Sequence, residues 1–344
     1  MVLVWYQEKE LVMSNIDTTS NNLIELAHGA GGAKSWELIK KVRKKLKLKG
    51  NWHYQEDDAA SFTLGKYKII FTSDAFIIDP LFFPGGDIGK IATCGTINDL
   101  LVMGAEPIGL ALSIVIEEGF PENKFLKIIR SINTISQLTK VPIVTGDTKV
   151  TEKGKIDKIE ITTAGIGLAR KIIKNSGAKP GDLIISSGDL GEHTVAVLSQ
   201  RFNYKTKIKS DSYPFIKEMK KVGKFLTACK DPTRGGLAAN IIEIAQKSKV
   251  KIILEEKFLP YKKETIALAN LLGIDYLTFA SEGRFIASVS PNNINKTLRI
   301  LKKFNSEAKF IGYVEKGKGV FLKTCLGALK PIEMPEGKLI PRIC

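Results

Sequence analysis

The sequence is poor in the residues that staple or metallate small folds, with four cysteines (Cys94, Cys229, Cys325, Cys344) and three histidines in 344 residues. No two cysteines stand at CxxC spacing, which argues against a disulfide framework and against structural zinc. Long apolar runs are missing as well. The longest, Ile108 to Ile116, is nine residues and stops at Glu117-Glu118, against the roughly 20 needed to span a bilayer. No membrane partner is expected. The start lacks a secretory pattern, since Met1 to Tyr6 gives way at once to Gln7-Glu8-Lys9-Glu10, and the expected location is the cytoplasm.

What is abundant is positive charge, 52 basic against 36 acidic residues for a net +16, on a chain that is 44% hydrophobic and 26% charged. That composition suits packed domains, and the length suits two. Much of the charge lies in one block, Lys40, Lys41, Arg43, Lys44, Lys45, Lys47 and Lys49. There Trp36, Ile39, Val42 and Leu46 recur at helical spacing, so the cations read as the wet face and C-terminal end of an amphipathic helix. No nucleic-acid-binding motif accompanies the charge, which disfavours a basic nucleic-acid module.

Residues 1–25 read as a flexible extension. Beyond them helices and strands alternate: helix near 34–47, strand 67–72, helix 88–103, apolar run 108–116, helix 121–138, strand 141–145 and strand 159–168. Lys179-Pro180-Gly181-Asp182 marks a turn, after which come helices near 192–201, 214–227, 233–247, 263–272 and 292–304, interleaved with strands at 183–186, 250–254, 284–290, 309–314 and 319–323. The expected organisation is α/β (α+β), with domains over 26–172 and 173–330. Prolines at 331, 335 and 341 exclude a helix from the last fourteen residues, and 331–344 read as a mobile tail that carries Cys344.

Chemistry is signalled by aspartates in apolar settings. Asp58 precedes Ala59-Ala60, Asp74 ends Ile69 to Ser73, Asp99 sits amid Ile97, Leu100, Leu101 and Val102, Asp147 ends Val141 to Gly146, and Asp231 opens Pro232-Thr233-Arg234-Gly235-Gly236. Such carboxylates are costly to desolvate together unless cations bridge them, and hard oxygen ligands without His or Cys suit Mg²⁺ and nucleotide phosphates. Taken singly, Asp231 is also a good helix cap, and Asp58 or Asp74 a turn residue. Gly312 to Lys318 matches only the start of a phosphate loop, since Gly319 replaces Ser/Thr and a strand is expected next. His28-Gly29-Ala30-Gly31-Gly32 before a helix offers backbone N–H groups to a phosphate. His28, His53 and His193 read as structural. Cys344, last on its proline-bearing arm, is a thiol able to visit a distant site.

Together these segments, with Thr72 to Gly86, Cys94-Gly-Thr-Ile-Asn-Asp99, Thr145-Gly-Asp-Thr-Lys149, Phe279-Ala-Ser-Glu-Gly283 and the closing Pro341-Arg-Ile-Cys344, resemble the HypE family of hydrogenase maturation proteins. That family sits in the ATP-binding superfamily of aminoimidazole ribonucleotide synthetase, selenophosphate synthetase and thiamine monophosphate kinase. The resemblance runs from about residue 26 to the end. Residues 1–25 have no counterpart, and Glu192-His193 stands where an aspartate before the histidine is expected. The resemblance implies a two-domain aminoimidazole-ribonucleotide-synthetase-like fold, a homodimer joined through the N-terminal sheet, and ATP and Mg²⁺ as cofactors. It implies that the carbamoyltransferase HypF loads Cys344 with a carboxamide, which ATP-dependent dehydration converts to an S-cyanate for iron held by HypC–HypD. By the same resemblance Cys344, Glu282 (general base) and Lys149 would be catalytic. Gly31, Gly32, Asp74, Asn98, Gly146, Asp147 and Thr148 would contact nucleotide, and Asp58, Asp74, Asp99, Asp147 and Asp231 would hold metal. A kinase or synthetase of the same superfamily acting on a free metabolite is the alternative.

Overall fold

The computed structural model describes residues 23–48, 50–336, 340 and 342–344. Most of the expected extension, residues 1–22, lies outside the described residues. After helix α1 (Ala33–Lys45) the first half builds a six-stranded sheet from β1 (Trp52–His53), β2 (Ala60–Leu64), β3 (Tyr67–Phe76), β6 (Glu106–Glu117), β7 (Ile143–Thr151) and β8 (Ile159–Ala169). Their order is β1-β2-β3-β8-β6-β7. Two short strands, β4 (Phe82–Phe83) and β5 (Gly86–Asp87), pair beside it. Only β6 and β7 run parallel, because helix α3 (Glu122–Thr139) makes the crossover between them. On β8 alternate residues from Ile159 to Ala169 are buried, the period-two pattern of a sheet with one covered face.

Helix α2 (Ile88–Val102) covers that face, and all its residues except Lys90 and Asp99 are buried. A helix enclosed on every side needs apolar and small residues all round. Gly89 shows why, since a Cβ there would stand 2.6 Å from the Ile128 carbonyl of α3. The outer side of α2 meets the second half, where Cys94, Ile97 and Leu101 share one core with Phe215, Met219, Cys229 and Phe285. The interface between the halves is therefore core rather than surface.

The second half is a seven-stranded sheet ordered β10-β12-β9-β13-β11-β14-β15. Its strands are β9 (Leu183–Ser186), β10 (Leu226–Lys230), β11 (Lys251–Glu255), β12 (Ile286–Val289), β13 (Lys309–Glu315), β14 (Gly319–Lys323) and β15 (Leu329–Ile332). Helices α4 (Glu192–Arg201), α5 (Ile216–Val222), α6 (Gly236–Ser248), α7 (Lys263–Leu272) and α8 (Ile294–Leu301) accompany it. On one face Leu237, Ile241 and Ile244 of α6 pack on Ile184, Ile252 and Ile286.

Three expectations are corrected. The helix expected over 214–227 stops at Val222, because residues 226–230 form β10 and pair with β12. Strands β1, β2, β4, β5, β10 and β15 were not anticipated. The apolar stripe of α1 is not buried: Ile39, Val42 and Leu46 are 53%, 50% and 66% exposed. Polar contacts anchor α1 instead, with Trp36 Nε1 donating to Glu243 Oε1 at 3.2 Å, Lys247 lying over the Trp36 ring, and Arg43 in the last turn donating to Gln55 and pairing with Glu56 at 3.3 Å.

The end of the chain is docked rather than loose. After β15 pairs with β14, Pro335 O accepts from Ala33 N, and Ile343 returns to the first half, 5% exposed among Phe76, Ile78 and Phe83.

Candidate active site

Where the two halves meet, four aspartates converge from different elements: Asp58 from the turn before β2, Asp74 from β3, Asp99 from α2 and Asp231 from the loop after β10. One carboxylate oxygen from each of Asp58, Asp99 and Asp231 lies within 4.8 Å of the others. Thr72 Oγ1 stands 2.8 Å from Asp99 Oδ2, and Thr96 Oγ1 donates to Asp74 Oδ2 at 3.0 Å. Asp231 does not cap a helix, since α6 starts at Gly236 with Gly235 as its N-cap.

Crowding these groups raises their proton affinities. Burial, then Asp74, Asp231 and Asp58, hold Asp99 well above the ordinary carboxylate value. Burial and Asp58 push Asp231 up to about 8, with Lys230 opposing. Lys230 is the one ammonium inside the group among the described residues, paired with Asp58 and, at 3.2 Å, with Glu243. Burial pulls its proton affinity down, and the attraction of Asp58 and Glu243 more than offsets this. Asp58 Oδ2 is buried and has no hydrogen-bond partner. An orphaned oxygen in an all-oxygen donor set fits a hard divalent cation.

A measurable consequence concerns stability. The folded state holds protons on Asp99 and Asp231 that the unfolded chain releases at its ordinary carboxylate values, so folding stability falls as pH rises from about 4 toward the folded value of about 8 for Asp231. The expected thermal midpoint of the free protein drops across that window. Mg²⁺ with a non-hydrolysable nucleotide is expected to remove the drop. A midpoint that rises with pH over the window in the free protein would contradict the crowding.

A cleft of about 460 Å³ opens onto the cluster, lined by Gly31, Gly32, Trp36, Asp58, Asp99 and Arg234 among others. Gly31 has φ +80°, and a Cβ on it would stand 2.9 Å from the Arg234 backbone, so only glycine serves there. Gly32 is the N-cap of α1, and the turn brings its amides to the cleft rim. Arg234 is charged more firmly than usual, first because of Cys344 and then Asp74, Glu282 and Asp99.

Behind Arg234 stand Glu282 and the chain's last residue. Glu282 is 2% exposed, and its Oε1 has no hydrogen-bond partner. Burial, then Asp231 and Asp211, hold its carboxyl well above the usual value, with Arg234 opposing. Its backbone is fixed independently: Glu282 N donates to Asp211 Oδ1 at 3.0 Å, and Asn98 Nδ2 donates to Glu282 O at 3.1 Å. Burial pushes the Cys344 thiol up to about 12, with Arg234 opposing and Glu282, Asp74 and Asp231 reinforcing.

The expected residues therefore separate into groups. Asp58, Asp74, Asp99, Asp231, Glu282, Cys344, Gly31 and Gly32 share one region. Asn98 lies beside it, and its two amide hydrogens are engaged by the Tyr213 and Glu282 carbonyls while its Oδ1 accepts from Phe215 N, which makes it a strut between halves. Gly146, Asp147, Thr148 and Lys149 are exposed on β7, the edge of the first sheet. Asp147 pairs with Lys149 at 3.2 Å, and the absent side chain of Gly146 is needed where Leu112 O approaches to 2.0 Å of a Cβ position. Within one chain these four do not join the cluster. Lys230, Glu243, Arg234 and Asp211 were missed as site residues. Lys230 carried no local signal, because the segment before it was read as helix to residue 227 and β10 emerged only in the fold. Glu192, in place of the expected aspartate, binds Lys262 at 2.5 Å and Arg284 at 3.4 Å; it forms ion pairs from the first turn of α4.

Two family models match the chain, the N-terminal domain of AIR synthase related proteins over residues 56–169 and the C-terminal domain over 179–324. A putative hydrogenase expression/formation protein of Methanocaldococcus jannaschii is 42% identical, covering 92% of this chain and 98% of that protein. Carbamoyl dehydratase HypE of Rhizobium leguminosarum is 38% identical over 94% of this chain and 96% of its own. Among solved structures, the HypE–HypF complex matches with TM-score 0.81 at 37% identity, covering 87% of this chain and 99% of that one. HypE in complex with ATP matches with TM-score 0.78 at 31% identity, over 94% of this chain and all of that one.

Proposed function

Because the chain belongs to the HypE family of hydrogenase maturation proteins, within the AIR synthase related proteins, we propose that it dehydrates a carboxamide on Cys344 to an S-cyanate at the expense of ATP. Like its curated relatives it is an enzyme of the carbamoyl dehydratase class. The observation that carries the reading is the placement of Cys344 with Arg234, Glu282 and Asp74 beside a nucleotide-sized cleft.

The chemical difficulty is that an amide oxygen is a poor leaving group. Transfer of the γ-phosphoryl group from ATP to that oxygen breaks its bond to ADP, and loss of one nitrogen proton to solvent water leaves an S-linked iminophosphate. Cleavage of the C–O bond then releases phosphate, and the second nitrogen proton goes to Glu282 as C≡N forms. Arg234 offsets negative charge at the transferred group, while Gly32 turns its backbone N–H toward phosphate, the Gly31 N–H being held by Ser35 Oγ at 2.9 Å. Asp58, Asp74, Asp99 and Asp231 would hold Mg²⁺, which when bound orients the triphosphate and neutralises its charge. Lys230 meanwhile keeps the carboxylates together in the metal-free protein.

Asp147, Thr148 and Lys149 enter this scheme through a homodimer. Strand β7 is an uncovered edge with Val144 and Val150 62% and 68% exposed, and such edges invite a second copy. Across that junction they would approach the partner's cluster, Lys149 beside the phosphoryl group. Light scattering that gives the mass of one chain, 37.9 kDa, would remove the proposal. In the proposed division of labour, 26–172 binds nucleotide and dimerises, 173–330 completes the site, and 331–344 carries the substrate. HypF would load Cys344, and the cyano group would pass to iron held by HypC–HypD. Among the described residues no helix is long and apolar enough to cross a membrane, and the cytoplasm is the proposed location.

Intact mass spectrometry tests the reaction directly. With ATP, Mg²⁺, HypF and carbamoyl phosphate, the expected record is a carboxamide adduct on Cys344 followed by loss of one water. An adduct that persists with ATP present would overturn the dehydratase reading.

A further inference from the structure

The main-chain oxygens of the last three residues each meet a fixed donor. Arg201 Nη2 donates to Arg342 O at 2.8 Å, His193 Nε2 lies 2.7 Å from Ile343 O, and Ile77 N donates to Cys344 O at 3.3 Å. His193 is fully buried, with its ring edge-on to Phe83 at 5.3 Å between centroids. A carbonyl oxygen only accepts, so Nε2 must carry a proton. Burial holds the imidazole down at about 4, so the ring is neutral and Nδ1 is an acceptor. Ser210 Oγ, 2.8 Å from Nδ1, therefore donates to it while accepting from Ser212 N at 3.1 Å. The bonds run in one direction, Ser212 to Ser210 to His193 to Ile343, and the Ser210 hydroxyl, which does not touch the tail, supports the tautomer that the Ile343 carbonyl requires.

We propose that His193 is a positioning residue that clamps the end of the tail through the Ile343 carbonyl, with Ser210 supporting its tautomer and the buried Ile343 side chain setting its register. The clamp grips main chain and one aliphatic group, and none of its hydrogen bonds involves the Cys344 sulfur. It thus presents the terminal residue toward Glu282 and Arg234 whatever the sulfur carries. This assignment rests on the dehydratase reading for its purpose, but the clamp is measurable without that chemistry.

The test is alkylation of the full chain by iodoacetamide without nucleotide, read by peptide mass spectrometry. Exposed Cys325 serves as the internal reference for Cys344. His193→Ala is expected to raise the Cys344-to-Cys325 ratio about tenfold, the equilibrium weight of one buried hydrogen bond with its unpaired acceptor. His193→Gln, whose side-chain N–H can meet the same carbonyl, is expected to restore most of the protection. A ratio unchanged in His193→Ala overturns the proposal, as does equal exposure in the Gln and Ala variants. Should His193→Ala not fold, ¹⁵N NMR of the unmodified chain replaces it. Exchange of the His193 Nε2 proton is then expected to quicken about tenfold on deletion of Ile343 and Cys344, and equal rates would overturn the clamp. An unloaded wild-type chain whose Cys344 is protected from iodoacetamide, but whose carbamoylated form yields no cyanate with ATP, would count against the dehydratase reading alone.

Discussion

Cys344→Ala is expected to abolish cyanate formation completely while leaving nucleotide affinity within about twofold, since no other group of the chain offers a thiol in that position. The three remaining cysteines are poor substitutes: Cys94 and Cys229 are buried in the core and Cys325 is exposed elsewhere. The thiol's worth is positional. A carboxamide tethered by the chain's own end meets the site at the high effective concentration of an intramolecular group, on the order of 10⁵ M or more for well-oriented pairs. A free carbamoylated thiol at millimolar concentration supplies nothing comparable, so added carbamoyl-cysteine is not expected to rescue the variant. The measurement is intact mass after loading, with nucleotide binding followed separately by calorimetry. The competing superfamily reading, a kinase or synthetase acting on a dissolved metabolite, predicts ATP turnover untouched by this substitution. Cyanate released at the wild-type rate by Cys344→Ala would end the tethered-substrate account.

How much of this was legible beforehand follows from the physics of each residue. Asp99 stood out because a carboxylate inside an apolar helix is expensive wherever that helix packs, and the structure puts it beside Asp58 and Asp231. Lys230 did not stand out, because a lysine next to an aspartate reads as two surface charges until strand β10 is known to be central to the site. Periodicity showed that α1 has an apolar face, yet period alone carries no information about a neighbour, and Ile39, Val42 and Leu46 lie open. The helix expected over 214–227 failed where strand pairing with β12 outweighed local pattern. The resemblance implies Asn98 as a nucleotide contact, but only the folded chain reveals that three backbone groups already engage its amide. Asp147 and Lys149 cannot be placed from one chain at all, because β7 faces outward. The contact between His193 and Ile343 spans 150 positions, beyond any local signal.

Glu282→Gln is expected to bind ATP, accept the carboxamide and then stall, with dehydration slowed by about 10²–10⁴ as for the loss of a general base. The substitution is a clean one because the backbone here does not depend on the side chain: Asp211 holds Glu282 N and Asn98 holds Glu282 O. Glutamine has the shape of the protonated acid, and burial with Asp231 and Asp211 already favours that neutral form. Folding stability should therefore not fall. What the amide lacks is the ability to take up the nitrogen proton as the C–O bond breaks. The same proton affinity sets the sign of the pH dependence. Only the carboxylate form accepts a proton, so wild-type dehydration should accelerate as pH rises toward the elevated value of Glu282 and then level off. In the glutamine variant that dependence should be gone, leaving a slow, flat profile. Single-turnover mass spectrometry on chains loaded beforehand separates this step from carbamoyl transfer. Wild-type cyanate yield from Glu282→Gln, or an unchanged pH profile, would take the base role away from this residue and leave Arg234 and the carboxylate cluster to be tested for it.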